Sequence, residues 1–451
     1  MIEREFFGTD GVRGIANLGS MTPEFALELG RALGVLIKKD TRIHQVVIGK
    51  DTRVSGYMLE TALSSGLCSV GVDVWLCGPL PTPGIAFLTH SMRADAGVMI
   101  SASHNSFEDN GIKIFGPDGF KLRDDNEVEL EELLKNQKLK MIRPIGSEIG
   151  KAHRIDDAVG RYIVYLKSTF PKTLNLVGVR IVVDAGHGAA YRVAPAVFTE
   201  LGATVTLCGA DPNGININDG CGALQPNTAQ QLVKNLKYDL GIALDGDADR
   251  VTIIDDEGQI LDGDHLLAIF ASWLNKNDKL RGGGIVATIM SNLGLELSLQ
   301  SQGLRLHRTP VGDRYVMEKM CEGNFNLGGE QSGHIIWLDH STTGDGLLAV
   351  LLLLTIAKQM NVRVSELKKC MTAYPQHFEN VLVTQRRPLG DLALVQTAIR
   401  DAEATLGNHG RVLVRYSGTE LKARVMVEGR DHAMIYRLAN HIADAIKMDL
   451  A

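Results

Sequence analysis

No two of the six cysteines stand at C-x-x-C spacing, so zinc ribbons and thioredoxin-type redox sites are not expected. Basic residues are not in excess: 47 Lys and Arg against 53 Asp and Glu leave a net charge of −6. That balance argues against nucleic acid or an anionic membrane as the main partner. Long apolar runs are missing too. The longest, Leu347 to Ala357, falls well short of the ~20 residues a membrane span needs. The opening MIEREFF is charged and has no apolar segment, so a secretory signal is not expected and a cytoplasmic location is. Low-complexity disorder is excluded by an ordinary globular composition, 45% hydrophobic and 22% charged.

What the chain does contain is a repeat. Its 451 residues suggest roughly three domains at about 150 residues each. Three times an apolar strand enters a polar or Gly-rich loop: VVIGKDTR from Val46, RIVVDAGHG from Arg180 and GIVATIMSN from Gly284. A helical stretch follows, then a second strand (GVDVWLCG, GATVTLCG, GLRLHR) and a Pro-bearing loop. A third strand then runs into a distinctive loop: AGVMISASHNS from Ala96, LGIALDGDADR from Leu240 and FNLGGEQSGH from Phe325. Alternation at this spacing predicts three similar mixed α/β domains with largely parallel sheets, spanning 1–155, 156–257 and 258–371. Residues 372–451 read as strand, helix, strand, strand, helix, a smaller C-terminal α+β domain. Thr22-Pro23 is a strong helix start, since Thr caps well and Pro suits the first helical position. Ligands gather at the carboxyl ends of parallel strands, so loops of all four domains are expected around one central cleft.

The loops carry recognisable chemistry. DGDADR alternates Asp245, Asp247 and Asp249; at ~4 Å and a dielectric near 20 each close pair repels by ~4 kcal/mol. A divalent cation would neutralise them, and all-oxygen ligation favours Mg²⁺, with Mn²⁺ or Ca²⁺ as alternatives, over zinc. An EF-hand is excluded, because its sixth position is Arg250 rather than Gly. In SASHNS, small neighbours leave the Ser103 hydroxyl accessible. No G-x-S-x-G elbow surrounds it, and His104 is its chain neighbour, an awkward position for a direct hydrogen bond. Lys113 brings positive charge into an apolar strand. GEQSGH offers Glu330, Ser332 and His334 at alternate positions, on one side if extended, which suits hydroxyl-rich ligands. RYSGTE supplies Arg415, Ser417, Gly418 and Thr419 as an anion cradle, with Arg424 near. Arg13 sits on the Gly-rich FGTDGVRG turn, whose glycine spacing is not a dinucleotide fingerprint. A cation site, a hydroxyl nucleophile, a polyol reader and an anion cradle together suit phosphoryl transfer on a phosphosugar.

These motifs in this order, with GKDTRVSGYMLE, GPLPTPG, DNGIKIF, MSNLGLE, VGDRYV, TTGDG and RVMVEG, run nearly end to end. The chain resembles the α-D-phosphohexomutase superfamily, and its hexosamine-phosphate branch most closely. The resemblance implies a TATA-binding-protein-like C-terminal domain and a phosphoryl group carried on Ser103. It implies Mg²⁺ held by Ser103, Asp245, Asp247 and Asp249, one ion per site, with Arg13, Lys113 and Arg250 offsetting the phosphate charge. It implies that His104 and Lys113 handle protons, that Glu330, Ser332 and His334 grip the sugar, and that Arg415, Ser417, Gly418 and Thr419 hold its phosphate. The implied reaction interconverts glucosamine 6-phosphate and glucosamine 1-phosphate through glucosamine 1,6-bisphosphate, which feeds UDP-N-acetylglucosamine and peptidoglycan synthesis. A kinase or autophosphorylation would first load Ser103, and a homo-oligomer stays open. Four positions depart from the family pattern: Ser106 and Leu421 stand where the family usually has Pro, Ala248 where it usually has Gly, and Tyr416 follows Arg415. Alanine in place of glycine at 248 predicts that this residue avoids positive φ. The rival readings are a glucose or mannose phosphate mutase, an aspartyl-nucleophile phosphatase with Asp245 as nucleophile, and a sugar-phosphate sensor without activity.

Overall fold

The apolar segments that open the repeats, His44–Lys50, Arg180–Asp184 and Gly284–Thr288, are interior strands of three separate sheets. The computed structural model describes residues 5–8, 10–136, 139, 141–417 and 421–450. Each of these first strands pairs in parallel with a second strand on one side: Val72–Pro79, Thr204–Cys208 or Arg305–Thr309. On the other side each pairs in parallel with a third: Ala96–Ile100, Leu240–Leu244 or Leu327–Gly329. The strand order third–first–second therefore recurs three times.

Beyond the expected parallel pairing, each third strand is followed by an antiparallel one: Asp109–Phe115, Val251–Ile254 and Ile335–Trp337. The connections 101–108, 245–250 and 330–334 are too short for a parallel crossover, which needs a dozen residues or more, so the chain must turn back on itself. The three chemically loaded loops are thus hairpin tips at the carboxyl ends of parallel strands.

The chain forms two compact units. One is Met1–Met290 with Leu304–Cys370 and holds these three sheets; the other is Ser291–Gly303 with Met371–Ala451. The second is built on an antiparallel sheet in the order Gln376–Leu382, Lys422–Gly429, Gly410–Tyr416. Helices Ala393–Leu406 and His432–Asp449 supply Val395, Ala398, Ile435 and Ile442 to its core. Helix Leu293–Gln300 joins this unit because Asn292 caps it and bonds Tyr374, while Leu293 N donates to the buried Glu428 at 2.9 Å.

In the first unit, Thr22 caps helix Pro23–Ile37 through the Phe25 amide. Among the described residues no single helix is long and apolar enough to cross a membrane. The apolar run at 347–357 lies in helix Gly346–Met360 and is buried within the protein. Asp345 caps this helix by accepting from Leu348 N at 2.9 Å, and the buried Tyr162 hydroxyl donates to its other oxygen at 2.7 Å. Burial pushes the Asp345 carboxyl up to about 6, against the hydrogen bonds that favour its charge. A carboxyl raised on folding contributes stability below its unfolded pKa, and this is lost as pH rises through the folded value. Asp345→Asn keeps the cap without the charge. The variant is expected to gain on the wild type as pH rises from 4 to 6, by up to about 3 kcal/mol for roughly two pKa units; melting temperatures across that range check it.

Candidate active site

Two hairpin tips meet at Ser103. Its hydroxyl donates to Asp245 Oδ2 at 2.6 Å, whereas His104 Nδ1 stands 3.4 Å from the Ser103 Oγ. The neighbouring imidazole therefore does reach Ser103, but by the weaker contact. Ser103 adopts φ 52°, a left-handed conformation uncommon for residues other than glycine. What holds it is side-chain hydrogen bonding to its loop. The fully buried Arg53 guanidinium donates to the carbonyls of Ser103 and Asn105 at 2.9 Å each, and also to that of Ser106. Asn218 donates to the first two at 2.9 Å as well. Asp51 orients Arg53 through its Nε and also accepts from Ser101 at 2.6 Å. Ser106 thus sits in a pinned loop without needing proline.

The opposing tip must come close. A Cβ on Gly246 would stand 2.6 Å from the Ser103 carbonyl oxygen, so a side chain there would push the loops apart. Two residues on, Ala248 has φ 56°. The expectation that alanine avoids positive φ fails here, because tertiary bonds override the local preference. Its N–H donates to the Asp245 carbonyl at 3.0 Å, and its own carbonyl accepts from Gly346 N at 3.1 Å. Ala248→Gly should relieve this strain and stabilise the protein by about 1 kcal/mol, seen as a higher melting temperature.

Asp245, Asp247 and Asp249 are all buried, with one oxygen from each within 4.8 Å of the others. Burial and the two neighbouring carboxylates raise Asp245 well above the usual range. Burial would raise Asp249 too, but Lys113 and His334 hold it well below that range. Lys113, buried in strand Asp109–Phe115, places its ammonium 2.9 Å from Asp247, 3.0 Å from Asp249 and 3.2 Å from Asp10. Burial alone would lower its pKa; these carboxylates raise it well above normal. Thr82, on the GPLPTPG loop, clamps Asp247 twice, from its N–H to the carbonyl at 3.0 Å and from Oγ1 to Oδ2 at 2.6 Å. Asp247 Oδ1 and Asp249 Oδ1 are buried yet accept no hydrogen bond from the described residues. An all-oxygen set with orphaned buried oxygens fits a hard divalent cation.

The third tip faces the same place. Arg250 Nη2 lies 3.9 Å from Glu330 Oε2, and its Nε 3.9 Å from Asp249. His334 spans Asp249 through Nδ1 at 3.6 Å and Asp313 through Nε2 at 3.4 Å. Burial would lower its pKa, but the two carboxylates raise it. GEQSGH is not extended, although Glu330, Ser332 and His334 still line one cavity. The segment closes as a turn, Glu330 N to His334 O at 2.9 Å, which leaves Ser332 exposed while Glu330 and His334 are buried. A cavity of about 650 Å³ is lined by Arg13, Asp249, Arg250, Glu330, Ser332 and His334, among others. Burial, with Arg250 and Arg13 adding to it, pushes His104 down to about 4, so its ring is neutral at pH 7.

In the second unit, Arg415 and Arg424 are cross-strand partners, and burial with Arg424 lowers the Arg415 pKa. Like charges directly opposite destabilise a strand pair, which a bound anion would relieve. Ser417 follows on that strand, while Gly418 and Thr419 lie outside the described residues.

Sequence reasoning assigned no part to Arg53, Asn218, Thr82, Asp10, Lys121 or Asp313. Several stand in motifs already noticed, GKDTR, GPLPTPG and VGDRYV, but the contacts that bring them to the site span 50 positions from Arg53 to Ser103 and 192 from Lys121 to Asp313.

Known proteins add a separate line of observation. The four phosphoglucomutase/phosphomannomutase family descriptions match in order: alpha/beta/alpha domain I over 4–141, domain II over 160–258, domain III over 262–374 and the C-terminal domain over 360–445. The phosphoglucosamine mutase of Geotalea uraniireducens is 55% identical over 99% of this chain and 98% of its own. That of Geobacter metallireducens is 54% identical over 98% of each. Among solved structures, a phosphoglucomutase/phosphomannomutase family protein from Burkholderia thailandensis superposes with a TM-score of 0.79 at 24% identity, covering 98% of this chain and 97% of that one. Aspergillus fumigatus N-acetylphosphoglucosamine mutase, solved with GlcNAc-6P and magnesium, gives 0.69 at 17% over 100% and 96%.

Proposed function

Because the chain belongs to the phosphoglucomutase/phosphomannomutase family, we propose that it is a phosphoglucosamine mutase, an isomerase that interconverts glucosamine 6-phosphate and glucosamine 1-phosphate. The observation that carries the assignment of roles is the Ser103 hydroxyl, 2.6 Å from a buried aspartate triad.

In the working enzyme Ser103 carries the phosphoryl group. Phosphoserine adds about −1.5 to −2 of charge beside three carboxylates, and Lys113, Arg13 and Arg250 supply part of the compensation. Asp245, Asp247, Asp249 and a phosphoserine oxygen would hold Mg²⁺, which when bound would neutralise charge on the transferring group. The C1 hydroxyl oxygen of glucosamine 6-phosphate bonds to phosphorus as the phosphorus–Oγ bond breaks. The hydroxyl proton passes to the site, and Ser103 leaves as a hydroxyl after taking one up. Neutral His104 accepts the proton and the Lys113 ammonium steadies the developing oxyanion. Glucosamine 1,6-bisphosphate then turns end over end. Ser103 Oγ takes the 6-phosphoryl group, O6 takes up a proton, and glucosamine 1-phosphate leaves. Glu330, Ser332 and His334 read the sugar, and Arg415, Ser417, Gly418 and Thr419 serve as the phosphate cradle. A small phosphosugar is the partner and the cytoplasm the location this reading implies.

Ser103→Ala is expected to lower turnover by at least about 10⁴-fold with the melting temperature retained, and intact mass should place one phosphate on the wild type at Ser103; full activity in the variant refutes the donor role. Asp247→Asn removes an anionic ligand and should weaken Mg²⁺ at least about tenfold in a metal titration, with chelation abolishing and Mg²⁺ restoring wild-type turnover. Parallel rates with glucosamine, glucose and mannose 6-phosphates decide the sugar; equal or better use of mannose 6-phosphate overturns the hexosamine assignment.

A further inference from the structure

Six side chains of the first unit close a ring in which acidic and basic groups alternate. Lys113 meets Asp249 at 3.0 Å; Asp249 faces His334 Nδ1 at 3.6 Å; His334 Nε2, which accepts from the Gly344 N–H at 3.1 Å, also stands 3.4 Å from Asp313. Lys121 Nζ then donates to Asp313 at 2.5 Å and also to Asp10, and Asp10 returns to Lys113 at 3.2 Å. The ring draws on the N-terminal turn, the first sheet, the metal tip and the sugar tip. Lys121 is the one member that joins Asp10 to Asp313, and no role falls to it in the chemistry above.

Its own placement is fixed. Lys121 bridges back to Phe115, the Gly116 N–H donates to the Phe120 carbonyl at 2.8 Å, and Thr342 Oγ1 donates to the Gly119 carbonyl at 2.5 Å. The side chain is 14% exposed, and Asp313 11%. At such burial a broken pair leaves an uncompensated charge, unlike an exposed pair of little consequence. Asp313 stands beside Gly312, whose N–H donates to Glu330 Oε1 at 3.2 Å. A charge at Lys121 therefore bears on the sugar-reading carboxylate through Asp313 and its neighbour Gly312.

The ring is also a partition. Asp10 lines the 650 Å³ cleft, Lys121 lines a second cavity of about 1010 Å³, and Asp313 lines both. We propose that Lys121 is a positioning residue of the mutase, which by tying Asp10 to Asp313 sets the sugar-reading tip against the phosphoryl-carrying and metal-holding tips. This rests on the mutase reading.

The full-length, Mg²⁺-loaded enzyme with glucosamine 1,6-bisphosphate present tests it. Lys121→Met should lower kcat at least about tenfold, with KM and the Mg²⁺ midpoint each within about threefold, since its ion-pair partners are Asp10 and Asp313 rather than the aspartate triad. Lys121→Arg should return most of the loss. Lys121→Ala should regain activity with added ethylammonium, which the second cavity can admit. The double variant Lys121→Met with Asp313→Asn should be no worse than the weaker single one. A Lys121→Met kcat within twofold of wild type overturns the inference. So does a loss that follows a fall in melting temperature and that neither arginine nor ethylammonium restores, and so do additive losses in the double variant. If the wild type itself fails to interconvert the two phosphates, both readings fall; an active wild type with an indifferent Lys121→Met sinks this one alone.

Discussion

Everything in the first unit is arranged around the cost of burying negative charge. Three aspartates on one hairpin tip are buried where water screens them poorly, and the half-buried Asp10 lies beside them at the cleft wall. A buried carboxylate without a partner would give up its charge, and Asp245 moves that way. Lys113 prevents the same outcome at Asp249 by placing one ammonium among three carboxylates. Thr82 and the Ala248 backbone then hold the tip in a shape it would not keep alone. The same negative charge makes the site receptive to a divalent cation, so charge balance and function are one problem.

Three copies of one topology answer it. Each sheet sends a short hairpin from its third parallel strand, and the short connection fixes the return as antiparallel. The tips differ in chemistry, hydroxyl on one, carboxylates on the next, and a glutamate, a serine and a histidine on the third, while the scaffold beneath them repeats. Loops on rigid sheets can vary in sequence without altering where they stand.

Much of this was legible in the sequence because it is local. The repeat follows from strand periodicity, the aspartates from their alternation, and Lys113 from a charge inside an apolar strand. What was not legible is non-local or geometric. Parallel pairing alone did not reveal the antiparallel returns, which depend on loop length. Arg53, Thr82 and Lys121 look like ordinary polar residues until their distant partners arrive beside them. Ala248 ran against the local rule because bonds to Asp245 and Gly346 outweigh about 1 kcal/mol of backbone preference. GEQSGH alternates as an extended strand would, but the hairpin's need to close curls it into a turn.

A group that must be donor in one half of a reaction and acceptor in the other places a particular demand on its loop. On the proposed reaction the Ser103 oxygen has to stand at the same point whether it carries a phosphoryl group or has just lost one, although about two units of charge come and go. Proline after the nucleophile would stiffen such a loop by restricting the backbone, and here the position is Ser106. The carbonyls of Ser103 and Asn105 are instead each held by two donors, Arg53 and Asn218. Those bonds lie on the backbone, away from Oγ, and so persist through the charge change. Arg53 is itself locked by Asp51, and Asp51 by Ser101 within the same loop. Stiffness has moved from the covalent chain to a buried hydrogen-bond network, which explains how the loop can depart from the family's usual residue and still keep Ser103 in an uncommon backbone conformation.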